Sequence, residues 1–180
     1  MKTSVALALI VFLWSPSRTS APSGPVRLEA GLGADVTLVT GTVGASAILS
    51  PDGRTLVFAG EQNGIAKLYV RRLDQLRATA LSGTDGAQSP FFSPDGQWIA
   101  FAAAGKLKKV SVTGGAAVTL CDVTGFRGGW WAEDGTITFS PSSSAGASLV
   151  RVSSAGGKPE ALTTLGEGEA TQRWPQILPG

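Results

Sequence analysis

A hairpin signature recurs three times in this 180-residue chain and restricts its fold more than any other feature. Its fullest form is Phe91-Phe92-Ser93-Pro94-Asp95-Gly96-Gln97-Trp98-Ile99-Ala100-Phe101. An earlier copy runs Ile48-Leu49-Ser50-Pro51-Asp52-Gly53-Arg54-Thr55-Leu56-Val57-Phe58. A weaker copy follows as Trp130-Trp131-Ala132-Glu133-Asp134-Gly135-Thr136-Ile137-Thr138-Phe139. Proline presets φ for the second turn position, aspartate bonds to nearby backbone, and glycine takes the positive φ that other residues resist. Apolar runs on both sides of such a turn predict a β-hairpin. Ile99 and Phe101 alternate with Ala100, as Leu56 and Phe58 do with Val57, so both faces of the strand are apolar. That pattern suits a sheet packed between two others.

Asp52 and Asp95 are 43 residues apart, and Asp95 and Asp134 are 39 apart. A period of about 40–45 residues with several short strands marks propeller blades, each a four-stranded antiparallel sheet. Third strands are predicted at 67–70, 107–112 and 148–152, and fourth strands at 78–81, 117–120 and 160–163. Gly114-Gly115 and Gly156-Gly157 supply turns between them. The first unit has Leu73-Asp74-Gln75-Leu76 there, which predicts a longer, different connection. The fold class is therefore all-β, with blades at about 44–81, 88–120 and 126–163 and the start of a fourth at 171–180.

On these residues the repeats resemble the TolB-type, WD-like β-propeller repeat of bacteria. A longer run extends the likeness: Leu68-Tyr69-Val70-Arg71-Arg72-Leu73-Asp74, Gly83-Thr84-Asp85-Gly86-Ala87, the central hairpin and Gly105-Lys106-Leu107-Lys108-Lys109-Val110. It resembles propeller sensor domains attached to bacterial receptor-type serine/threonine kinases. The resemblance covers residues 44–180 and implies an interaction platform. Kinase signatures are absent from the chain.

Residues 1–21 read as a signal peptide: Lys2, a short apolar core from Val5 to Trp14, then small residues to Ala21. That core is too short for a membrane span, which needs about 20 residues. A periplasmic or secreted protein is expected. Residues 22–43 form a lead-in, with strands possible at Val26–Ala30 and Val36–Thr40; one use for them is to complete the last blade of a ring. Closed propellers have about four to eight blades. Three blades and a strand leave two raw sheet faces with no visible caps, which predicts a fragment of a longer protein or a ring shared between chains. Open edges also predict self-association.

Catalytic and metal chemistry finds little footing. The chain has no histidine, which excludes imidazole-based triads and metal sites. Its single cysteine, Cys121, is expected to be buried and inert. Calcium needs about six to eight oxygen ligands, whereas each repeat turn offers one aspartate, Asp52, Asp95 or Asp134. These are expected to be turn residues. The Asp box of sialidases has one more residue between Asp and Gly, so that match fails. Glu133 and Asp134 form the one acidic pair in a repeat turn. No catalytic, cofactor-binding or metal residue is assigned, and no cofactor is expected.

The net charge of +2 gives no broad footprint for nucleic acid. Two basic clusters, Arg71, Arg72 and Arg77, and Lys106, Lys108 and Lys109, are expected on solvated edges. The segment Gly125-Phe126-Arg127-Gly128-Gly129-Trp130-Trp131 departs most from the repeat. Its tryptophans either pack between blades or meet a partner. The expected function is a non-catalytic, exported module that binds a protein or small-molecule ligand. The alternative is the propeller portion of a hydrolase, a peptidase or a receptor-type kinase whose catalytic domain lies elsewhere.

Overall fold

The computed structural model describes residues 31–40 and 44–176. Among them the regular structure is all strand, in three antiparallel sheets. The first sheet holds β1 (Thr37–Leu38), β2 (Ala47–Leu49), β3 (Thr55–Gln62), β4 (Ile65–Arg72) and β5 (Thr79–Ala80). The second holds β6 (Gln88–Phe92), β7 (Trp98–Ala103), β8 (Lys106–Ser111) and β9 (Val118–Asp122). The third holds β10 (Gly129–Trp131), β11 (Thr136–Phe139), β12 (Val150–Ser153) and β13 (Glu160–Ala161). The second and third sheets run in strict chain order, so consecutive strands are hydrogen-bonded neighbours. The strands β2, β6 and β10 lie side by side where the sheets converge. This is an incomplete β-propeller. No helix among the described residues is long and apolar enough to cross a membrane.

Side-chain alternation decides what lies between the sheets. In β7, Ile99, Phe101 and Ala103 point toward the first sheet, where they pack with Val57, Ala59 and Leu68. Ala100 from the same strand points the other way, into a cluster with Leu107, Phe126, Trp131, Ile137, Phe139 and Val152. Ile99, Ala100 and Phe101 are all completely buried. Burying a side chain of the Ile or Phe class is worth about 1.5–3 kcal/mol, so these two inter-sheet layers dominate stability. The buried Thr84 ties the connection from first to second sheet: its hydroxyl donates to the Leu81 carbonyl and accepts from the Leu68 amide.

The flanks differ from the expectation of two raw faces. On the first sheet, the lead-in crosses the side turned away from the second sheet. Ala78 N donates to the Gly33 carbonyl beside the outer edge, and β1 pairs with Glu61 and Gly60 on the inner edge. Between them Val36 lies over Gly60; a Cβ on Gly60 would stand 2.7 Å from Val36 Cγ2 and 3.0 Å from the Tyr69 ring. The expected strand at Val36–Thr40 therefore belongs to the first sheet and does not complete the last one. The reason is register: β1 and β2 share the edge of β3 and make one inner strand interrupted in the middle. Val26–Ala30 and the signal-like residues 1–21 lie outside the described residues.

The third sheet is one-sided. Ile137, Phe139 and Val152 face the second sheet and are buried. The opposite side carries Trp130, Thr138, Arg151 and Glu160 in one cross-strand row, with Thr136 opposite Ser153 beside it. Arg151 pairs with Glu160 at 3.2 Å on this side. The start of a fourth blade was expected at 171–180, of which residues 177–180 lie outside the described residues. Residues 171–176 carry no strand assignment and run beside the third unit. Gln172 N donates to the Ala147 carbonyl and Trp174 N to the Arg127 carbonyl.

Candidate functional site

The turns of the repeated hairpins show what their aspartates do. In the first, Gly53 N donates to the Ser50 carbonyl and Gly53 has φ of 69°. The Ser50 hydroxyl donates to Asp52 Oδ1 at 2.5 Å and accepts from the Thr55 amide, while Arg54 N also donates to Asp52. The second turn repeats this with Ser93, Asp95, Gln97 and Trp98. These bonds stabilise the ionised carboxylate, so the serine hydroxyl first, and the backbone amide next, hold Asp52 and Asp95 below the ordinary aspartate range. Asp134 is held low by Thr136, first through its backbone amide, with the charge of Arg151 adding to the effect. The three carboxylates serve their own turns. Among the described residues no group of three or more His, Cys, Asp or Glu side chains is placed to hold a metal.

Cys121 is buried at the end of β9, and burial pushes its thiol up to about 11, with Asp122 adding to the effect. It is therefore protonated at neutral pH and a poor nucleophile. Every carboxyl with a resolved shift, Asp74 and Glu169 included, is pushed down, the direction opposite to that of a general acid.

What the geometry does assemble is an apolar groove along the three inner strands. It has a volume of about 640 Å³ and is lined by Ile48, Leu49, Phe91, Phe92, Trp130 and Trp131, with Glu133 at its rim. Leu49 is 54% exposed and Trp130 39% exposed, so two large apolar side chains meet solvent here. Its floor is rigidly backed: Phe91 stacks on Phe126 at 6.1 Å, and Phe126 on Phe139 at the same spacing. Pockets of this size and lining are where proteins place ligands and partner side chains.

The two tryptophans divide the roles that the sequence left open. Trp131 is buried between sheets and Trp130 is presented outward. Lys109, expected on a solvated edge, is a further correction. Its Nζ lies 4.7 Å from the Trp98 ring centroid and 6.0 Å from that of Trp131. An aromatic face attracts a cation, and the lysine stem covers apolar surface as it reaches there. Lys106 is exposed at the start of β8, a strand flanked on both sides, and pairs with Asp122 at 2.5 Å. A second, polar cleft of about 570 Å³ opens at the turn end between the first two sheets, among Asp52, Arg72, Gln75, Asp95 and Gln97. Sequence reasoning pointed to the groove only through Trp130. Leu49 and Phe91 looked like ordinary strand residues, and no local signal marks their meeting.

Comparison with solved structures places the fold. A TolB protein described as putative, from Agrobacterium tumefaciens, superposes with a TM-score of 0.57 at 22% identity, over 69% of this chain and 51% of that one. TolB from Acinetobacter baumannii superposes with a TM-score of 0.54 at 20% identity, over 68% of this chain and 33% of that one. The AtxE2 isopeptidase follows at 0.51 and 18% identity, over 66% of this chain and 28% of that one. The chain thus spans about half or less of each of these propeller-containing proteins. No protein-family model matches the sequence, and no curated protein matches it.

Proposed function

We propose that this chain is a non-catalytic recognition module that holds an apolar segment of a partner protein in the groove of β2, β6 and β10. The observation that carries the reading is the exposure of Leu49 and Trp130 at the two ends of one apolar, aromatic-backed surface. Apolar and aromatic anchors in a defined pocket supply most of the binding energy at protein interfaces. Small polar ligands have little to bond there, since the lining offers chiefly carbon. The signal-like residues 1–21 support export to the periplasm or beyond.

The test is selection of peptides from a random library on the immobilised chain, with Leu49→Ser and Trp130→Ser as competitors. Peptides rich in Leu, Phe or Trp that lose binding to either variant support the reading. Selected peptides that bind both variants as well as the parent overturn it. Export is checked separately by the intact mass of the protein recovered from the periplasm. A chain lacking its first segment supports export, and a full-length chain retained in the cytoplasm overturns it.

A further inference from the structure

If the groove of β2, β6 and β10 holds a partner segment, as proposed above, one of its residues selects which segments enter. Glu133 is the single charged residue among those that line it. It stands where the first two repeats have Pro51 and Pro94, so the three turns set proline, proline and glutamate along one rim. Proline presets the turn, and the glutamate gives nothing back to its own turn. Asp134 beside it accepts from the Thr136 amide, whereas the exposed Glu133 carboxylate has no hydrogen bond or ion pair among the described residues. Lys109 lines the adjoining cleft of about 530 Å³ together with Asp95 and Glu133, one ammonium against two carboxylates. Its Nζ rests 4.7 Å from the Trp98 ring centroid and forms no ion pair among the described residues. The groove is thus apolar along its length and acidic at one point, the turn that follows Trp130.

We propose that the segment held in the groove is basic at one end. Its apolar side chains lie between Leu49 and Trp130, and a lysine or arginine leaves the groove at the third turn to meet Glu133. Apolar contact supplies the holding energy, while a charge at the rim acts on partner choice and association rate. The same carboxylate turns away a segment with an acid in that place.

The test is binding of dye-labelled peptides to the full chain at low ionic strength, read by anisotropy. Each peptide carries the core Leu-Phe-Trp-Leu with blocked termini and adds Lys, Gln or Glu at its first or its last position. At one of the two positions, Lys is expected to bind about two- to fivefold tighter than Gln, and Glu weaker than Gln by a similar factor. The spread should shrink in about 0.5 M salt. Glu133→Gln should level the three affinities, and Glu133→Lys should reverse their order. Equal affinities at both positions, or a Lys preference that persists in Glu133→Gln, would overturn the proposal and leave the groove reading standing. Peptides that bind Leu49→Ser as well as the parent, or no saturable binding by any peptide, would overturn the groove reading and the charge preference with it.

Discussion

The second and third sheets are copies of one plan with opposite fates for one row of side chains. In the second, the row that points onward is Phe91, Ala100, Lys109 and Val118; its first three members meet the next sheet, and Val118 at the outer end is exposed. In the third, the same row is Trp130, Thr138, Arg151 and Glu160, and it meets solvent. The turns differ in parallel. Ser93 bonds through its hydroxyl to Asp95 and to the Trp98 amide. Ala132 cannot, and its turn closes one residue sooner, with Ala132 N bonded to the Thr136 carbonyl. The difference teaches that a repeat is enforced where two sheets must fit together. It relaxes on a flank that has no sheet to fit.

The largest contrast is expected from the aromatic layers. Phe101→Ala in the second sheet should cost about 3–5 kcal/mol, by the usual cost of emptying a core aromatic site. Urea unfolding followed by tryptophan fluorescence measures it, and a loss below that of a surface substitution would break the picture of a shared inter-sheet core. Next comes the row itself. Ala100→Thr places a hydroxyl and extra volume in a fully buried site, at about 1–3 kcal/mol. Thr138→Ala, at the matching position of the third sheet, should stay within about 0.5 kcal/mol. Equal losses for the pair would mean that the third sheet's onward side is also packed.

A smaller effect follows from the turns. Ser93→Ala removes a hydroxyl that is 3% exposed and leaves the Trp98 amide without that acceptor, at about 1–2 kcal/mol. Ala132→Ser should restore nothing, because the shortened turn has no amide in the matching place. Smallest is the response to acid. The folded pKa values of Asp52, Asp95 and Asp134 lie below the unfolded ones, so their contribution is complete above the unfolded value of about 3.9 and fades as pH falls through the folded values. Asp95→Asn should flatten the loss of stability below that pH more than Asp134→Asn, since the Asp95 carboxylate accepts from both the Ser93 hydroxyl and the Gln97 amide, whereas Asp134 relies on Thr136 and on the solvent-screened charge of Arg151. Thermal unfolding across an acid series reads the order, and the reverse order would refute it.

Much of this fold was legible because hairpin chemistry is local. Ser-Pro-Asp-Gly carries its own bonds, and the third and fourth strands fall close to where alternation puts them, as at β8 and β9. The one-sidedness of the third sheet was present in Thr136-Ile137-Thr138-Phe139, which alternates polar and apolar where β7 does not. What could not be read was tertiary. Val36 crosses to Gly60 over a span that no short pattern records, and the placing of 171–176 beside the third unit depends on carbonyls at Ala147 and Arg127. The groove was half legible: Trp130 stood out, while Leu49 and Phe91 acquire meaning only where three inner strands converge. Lys109 was misplaced because a charge on a strand suggests water, and nothing local announces two indoles beside it.

The crossing of residues 32–38 has a mechanical consequence. A ribbon fastened at both the hub and the periphery of a wedge works as a gasket. Anything seeking to stack on that flank must first prise it loose, and Gly33 and Gly60 are the spots where it sits tightest. Amide exchange at Thr37 and Leu38 would then register such docking as a leak, long before the wedge beneath came apart.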